Sequence, residues 1–335
     1  MDYTKLLKEN RIYNSLNFFY YAYKRNNWML DPSRFWKDFK DVKIDRPVFL
    51  LGFHGGGNTL LSRMIRRNKD FVSVSGNYKY WSGADEMQNV LGPILPPELT
   101  GIKHKIPLES GLEFPTHWLY SADKYLSYFR NTAEDVTPEI KESFRKTIRW
   151  IIARNAINKN KVRFIDKSQI YTIKISFINE IFKDTKPKFI LVLRNPYVLC
   201  HRVVQRNPNC FKNNNIKSKK EQLEIASNHW VNSIKCAIED GGKADLMVVR
   251  FEDILNQPEE TIRKVCDFIE TEFSNDMIPH PEHRIPFGST GKNKWYPLRP
   301  DVNERYLKQM EKEDIEIIDN NIHKYAEKFG YSKPK

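Results

Sequence analysis

Apolar residues fall along this chain in two alternating patterns. Short continuous runs read as strands: Val48 to Leu51 with Phe53, Lys161 to Asp166, Lys188 to Leu193 (KFILVL) and Leu246 to Arg250. Longer segments with helical spacing lie between them: Pro138 to Asn158 with Phe144, Ile148, Ile151 and Ile152 on one face, Ser168 to Phe182, Pro196 towards Arg206, Glu221 to Glu239 and Pro258 to Glu270. A last helix is expected over Val302 to Phe329, apolar at Tyr306, Met310, Ile317, Ile318 and Tyr325. The alternation predicts an α/β fold of three layers, α/β/α, around a central parallel sheet with right-handed crossovers. Continuous apolar content puts KFILVL at the sheet centre, so that Arg194 falls at a C-terminal strand end, where ligand sites of such sheets form.

Three stretches depart from this rhythm. Residues 10 to 40 are rich in aromatics, among them Tyr13, Phe18, Phe19, Tyr23, Trp28, Phe35 and Trp36, and their spacing predicts one or two amphipathic helices packed on the sheet, with Asp31-Pro32-Ser33 as a helix start. From Ser73 to Pro115, glycines and prolines break any long element. With Tyr78, Tyr80, Trp81, Asp85, Glu86, Lys103, His104 and Lys105, this segment reads as the wall of a binding site or as a variable surface loop. Asn207 to Lys220 and Phe273 to Arg299 read as loops.

At 335 residues a single large domain is favoured over two small ones. A helical extension would occupy residues 1–45 and an acceptor-binding elaboration residues 73–160. The net charge of +13 favours anionic partners: a phosphorylated nucleotide, an acidic glycan, a membrane surface or nucleic acid. No run of 18 apolar residues occurs and MDYTKLLKENRIYN lacks the apolar core of a signal peptide, so a cytoplasmic protein is expected. Cys200, Cys210, Cys236 and Cys266 form no C-x-x-C pair, which predicts reduced, packed thiols and no metal site.

The chemistry concentrates in PVFLLGFHGGGNTLLSRMIRR, from Pro47 to Arg67. Strand, glycine turn and helix start make an anion site, because the first N–H groups of a helix have no internal partner and the dipole is positive there. Gly52 to Thr59 follow the nucleotide triphosphatase spacing, but Asn58 stands where that pattern has its lysine, which argues against ordinary ATP or GTP chemistry. His54-Gly55-Gly56-Gly57 matches the oxyanion element of esterases, yet no serine has glycine two before and two after it.

GFHGGGNTLL resembles the 5′-phosphosulfate loop of the sulfotransferases, and Arg194-Asn195-Pro196-Tyr197 resembles their 3′-phosphate motif. In the same order, Asp166-Lys167-Ser168, the segment VRFEDILNQPEETIRKVCDFI from Val249, Gly291-Lys292-Asn293-Lys294-Trp295 and Lys328-Phe329-Gly330-Tyr331 resemble further elements of that family, over most of residues 46 to 331. The resemblance implies a P-loop NTPase-like sulfotransferase fold. It also implies transfer of a sulfuryl group from 3′-phosphoadenosine 5′-phosphosulfate (PAPS) to a hydroxyl or amine, with no metal required.

Under that resemblance Gly55, Gly56, Gly57, Asn58, Thr59 and Leu60 would hold the phosphosulfate, and Arg194 the 3′-phosphate. Arg202 stands where the family has a serine and could join Arg194 or lie on the surface. Gly291, Lys292, Asn293 and Lys294 would close over the 3′-phosphate, within a loop at 285–300. Two departures follow from the same alignment. Gly55 replaces the arginine or lysine of the family's loop, leaving Lys167 or His54 to supply positive charge, or His54 to be a packed loop histidine. The region after the first helix, Ser75-Gly76-Asn77-Tyr78, has no carboxylate to act as general base; Glu86, Asp85 and His104 are the nearest replacements, Glu86 ranking first and His104 second, against ordinary loop polarity.

A carbohydrate or small hydroxylated metabolite is the expected acceptor, with no nucleic-acid partner. The alternatives are a nucleotide binder of the same fold that has lost transfer activity and a basic nucleic-acid-binding protein.

Overall fold

Successive side chains of a strand point to opposite faces, and here both faces are apolar, so layers must cover each. The strands are β1 (Val48–Gly52), β2 (Phe71–Val72), β3 (Arg163–Asp166), β4 (Lys188–Leu193) and β5 (Leu246–Arg250). They lie parallel in the order β2-β3-β1-β4-β5, with Val48 opposite both Ile165 and Lys188, and Phe189 opposite Leu246. The computed structural model describes residues 19, 23, 26–77, 85–100, 119–158, 161–206, 211, 215–283 and 296–334.

The helices used below are α1 (Asn58–Ile65), α2 (Asp123–Phe129), α3 (Pro138–Asn155), α4 (Ile175–Phe182), α5 (Pro196–Arg206), α6 (Lys219–Gly241), α7 (Phe251–Asn256), α8 (Pro258–Phe268), α9 (Val302–Leu307) and α10 (Lys312–Lys328). Strand alternation divides the core between two faces. Phe49, Leu51, Phe164, Phe189, Leu191 and Leu193 pack with α3, α4, α5, α6 and α10. Val48, Leu50, Ile165, Ile190, Val192 and Val249 pack with α1, α7 and α8. This is the three-layer α/β/α arrangement the sequence predicts. The chain leaves β1 towards β3 on one side and β4 on the other, so the crevice for a ligand opens beyond the C-terminal ends of β1 and β4.

Several elements differ from the sequence reading. The expected helix from Ser168 to Phe182 is split: Gln169–Ile173 is a 3-10 turn, and α4 starts afresh at Ile175 after Lys174 leaves helical geometry. The Lys174 side chain is drawn inward instead, onto Glu98 O at 2.8 Å and Asn131 Oδ1 at 2.6 Å. The closing helix is likewise two helices, α9 and α10, and the buried stripe of α10 is Ile315, Ile318, Ile322 and Ala326. The segment after Ser73 holds short helical turns at Met87–Val90 and Pro97–Thr100, anchored by buried Met87, Val90 and Leu99.

Most of residues 10 to 25 lies outside the described residues; of the N-terminal segment, Phe19, Tyr23 and Asn26 are helical, and 3-10 turns follow at Asn27–Leu30 and Pro32–Phe35. Phe19, Tyr23, Met29, Leu30, Phe35 and Trp36 are exposed, while Trp28 and Phe39 reach the core. Asp31 does cap its turn, accepting from Ser33 N–H at 3.1 Å. Cys200, Cys236 and Cys266 are buried free thiols. Among the described residues no helix is long and apolar enough to cross a membrane.

Candidate active site

The loop from β1 into α1 is shaped by what lies behind it. Gly57, the N-cap of α1, has φ +113°. A Cβ there would stand 2.3 Å from the Phe251 ring, so only glycine fits. Gly56 N–H donates to Phe53 O and Leu60 N–H to Gly57 O, both at 2.9 Å. The N–H groups of Gly56 and Leu60 are thus taken up within the loop, whereas those of Gly57, Asn58 and Thr59 donate to no atom among the described residues. Leu60 turns its side chain into the core. Asn58 is buried, and both polar atoms of its amide lack a partner among the described residues. An orphaned amide below free helix N–H groups fits a bound anion such as the phosphosulfate end of a nucleotide.

Two arginines meet this loop from the next strand and its helix. Arg194, at the end of β4, donates from Nη1 to Gly55 O at 2.9 Å and from Nε to Asn303 Oδ1 at 2.8 Å, with its guanidinium 4.7 Å from the Phe251 ring centre. Arg202, two turns along α5, donates from Nη1 to the same carbonyl at 3.2 Å and lies 5.0 Å over Tyr306. The anchor of Arg194 is built from distant sequence. Asn303 donates to Glu252 Oε1 at 2.6 Å, Asn195 N–H donates to the same oxygen at 2.9 Å, and Tyr331 Oη donates to Glu252 Oε2 at 2.8 Å. The VRFED segment and the Gly-Tyr ending thus fix the arginine of the RNP segment. Burial first, and then the Glu252 charge, push the Tyr331 hydroxyl pKa up, keeping it a donor.

Lys167 follows β3, one strand from the loop, and is 1% exposed. Its ammonium lies 3.0 Å from Asp85 Oδ1 and 2.8 Å from Glu86 Oε1. Arg66 at the end of α1 is fully buried too and pairs with Asp85 Oδ2 at 2.5 Å. Burial pushes the Lys167 pKa down, but Asp85 and Glu86 outweigh it and hold the ammonium above its ordinary value. Burial would raise the Asp85 carboxyl, yet Lys167 and Arg66 hold it below the usual range. Glu86 also accepts from Gln169 Nε2 at 3.0 Å and Asn89 Nδ2 at 2.6 Å. Burial raises Asp166, next to Lys167, to about 6. The structure therefore brings Lys167 and Glu86 together as one ion pair.

His54 is buried, its ring parallel to His229 at 6.1 Å and edge-on to Tyr120 at 6.0 Å. His229 Nδ1 accepts the Ser121 backbone N–H at 3.0 Å, which puts the ring proton on Nε2, and burial pushes its pKa down to about 3. These aromatic rings form the loop's floor. His104, Gly291, Lys292, Asn293 and Lys294 lie outside the described residues, as do Tyr78, Tyr80 and Trp81. Sequence reasoning missed Asn303, Tyr306 and Asp85 in their present roles. Asn303 and Tyr306 belong to no motif of the sequence, and only the acidic pair Asp85-Glu86 offered a signal.

Comparison with curated protein sequences gives no match. Among solved structures, the sulfotransferase domain of the Synechococcus PCC 7002 olefin synthase is 20% identical, with a TM-score of 0.50 over 89% of this chain and 99% of that one. Sulfotransferase STF9 from Mycobacterium avium is 11% identical, with a TM-score of 0.51 over 92% of this chain and 82% of that one. At such identities these likenesses show a shared fold, the P-loop-like fold of sulfotransferases. A family model described as "Sulfotransferase family" matches residues 47–275, from the start of β1 to beyond α8. That match spans well over half of the 335 residues, and the chain belongs to the sulfotransferase family.

Proposed function

We propose that this chain transfers a sulfuryl group from PAPS to a hydroxyl or amine of a carbohydrate or small-metabolite acceptor. The observation that carries the reading is the convergence of Arg194 and Arg202 on the Gly55 carbonyl, beside the N–H groups of Gly57, Asn58 and Thr59 at the crevice between β1 and β4. PAPS, when bound, supplies the activated sulfuryl group. The N–H groups of Gly57, Asn58 and Thr59 with the Thr59 hydroxyl would hold its 5′ end, and Arg194 its 3′-phosphate. Asn303 and Glu252 hold the guanidinium in place, so little is lost in ordering it on binding.

Lys167 and Glu86 act as a pair in this reading. The ammonium holds the Glu86 carboxyl at 2.8 Å, and Glu86 would take the acceptor proton, with His104 as the other candidate base. His54, packed on His229 and Tyr120, would shape the loop and add positive charge to it only when protonated.

A second reading has support of its own. The loop from Gly52 to Thr59 carries no lysine or arginine, which favours a protein that binds the nucleotide without transferring from it. Incubation with PAPS labelled in its sulfuryl group, against a panel of sugars and small amines, separates the two. Transfer of label that is lost in Arg194→Ala supports the enzyme. Tight binding without transfer to any acceptor supports the second reading.

A further inference from the structure

We propose that Arg202 is the cation of the phosphate loop, supplied from α5, and that position 55 is glycine so that this guanidinium can lie there. The inference rests on the phosphosulfate reading above. Gly55 is exposed and has φ +76°, at the mouth of the loop. A Cβ at this position would stand 2.5 Å from Arg202 Nη1 and 3.3 Å from its Cζ, so a side chain at 55 would push the guanidinium off the place it holds here. The ring of Tyr306 backs the guanidinium at 5.0 Å, and Nη1 reaches Gly55 O at 3.2 Å.

The resemblance lets Arg202 join Arg194 at the 3′-phosphate or lie on the surface; both guanidiniums reach Gly55 O and the Tyr306 ring, but they are held differently. Arg194 is 4% exposed and anchored through Nε to Asn303. Arg202 is half-buried and reaches the loop across the face of Tyr306. A charged donor prefers an anion to a neutral carbonyl, so a 5′-phosphate held by the N–H groups of Gly57 to Thr59 draws Arg202 from Gly55 O. There Arg202 faces the charge of transfer. The acceptor oxygen or nitrogen forms its bond to sulfur, and the bond from sulfur to the 5′-phosphate oxygen breaks. Its electron pair stays on that oxygen, beside Arg202, and the acceptor proton goes to the general base.

The test uses the full chain and adenosine 5′-phosphate, adenosine 3′-phosphate and adenosine 3′,5′-bisphosphate, titrated calorimetrically. Arg202→Ala is expected to weaken the 5′-phosphate and the bisphosphate by about tenfold or more and to leave the 3′-phosphate unchanged. Arg202→Lys should retain part of the loss, and Gly55→Ala should reproduce it by displacing the guanidinium. In the Arg202→Ala background, Gly55→Ala should cost little further affinity, which sets aside the effect of its positive φ. A loss confined to the 3′-phosphate, or no loss for any ligand, overturns the assignment. Wild-type protein that binds none of the three overturns the nucleotide reading itself, a result distinct from a selective loss in the variant.

Discussion

Lys167→Met tests whether the lysine of the β3 turn holds the fold together as well as the site. Its ammonium contacts Asp85 at 3.0 Å and Glu86 at 2.8 Å, all three groups buried or nearly so. Coulomb's law at an effective dielectric of about 20 gives about 5–6 kcal/mol for either contact. The desolvation penalty of the lysine offsets much of that, and breaking a buried pair by removing one partner costs about 3–5 kcal/mol. Asp85 would keep Arg66, but Glu86 would keep only the neutral donors Gln169 and Asn89. Urea unfolding at pH 7 is therefore expected to show a loss of about 3–5 kcal/mol, a large share of the roughly 5–15 kcal/mol of a typical domain. Lys167→Met with Glu86→Gln leaves the Arg66–Asp85 pair neutral overall and should recover at least about 1 kcal/mol relative to additivity. Because the Asp85 pKa is depressed, its contribution is present above its unfolded value of about 3.9 and is lost as pH falls through the folded one. A loss below about 1 kcal/mol in Lys167→Met, or additive single variants, would refute the coupled buried pair.

Other perturbations separate loop, arginine and floor. Arg194→Lys cannot keep the fork that bonds both Asn303 and Gly55, and should weaken adenosine 3′,5′-bisphosphate about tenfold or more by calorimetry; unchanged affinity would remove Arg194 from the site. Gly57→Ala meets Phe251 and a φ of +113°, so thermal unfolding should report a loss of roughly 2–4 kcal/mol, and a neutral effect would mean that the loop is not held against Phe251. His229 has its pKa pushed down to about 3, so below about pH 6.5 the unfolded chain takes up a proton that the native ring does not. Stability should fall by up to about 1.4 kcal/mol per pH unit from that point downward, and His229→Gln should flatten the slope in urea titrations at pH 7, 6 and 5. Equal slopes would place His229 in contact with water.

How much of this was legible in the sequence depended on whether a residue's partner was near in the chain. β4 and β5 fall at the predicted bounds because unbroken apolar runs admit few other readings, and α5 starts at Pro196 as its fixed φ suggests. The glycine loop was legible for the same local reason. The break at Lys174 was not, since it depends on contacts of Lys174 with the Glu98 carbonyl and Asn131 that form only in the folded chain. The N-terminal aromatics have helical spacing, but spacing does not say whether a surface exists to cover them, and Phe35 and Trp36 remain exposed. In the candidate site, the motif singles out Arg194, whereas its support on Asn303, and the contact of Arg202 with Gly55 across 147 positions, arise only when α9 and α5 close over the loop.

The central claim is a site that reads both ends of a 3′-phosphorylated nucleotide. Its most direct measurement is thermal stabilisation by adenosine 3′,5′-bisphosphate compared with AMP and ATP at equal concentrations. The account predicts a clearly larger rise in Tm with the bisphosphate than with either of the others, and loss of that preference in Arg194→Ala. Equal shifts with all three, or a larger one with ATP, would contradict it.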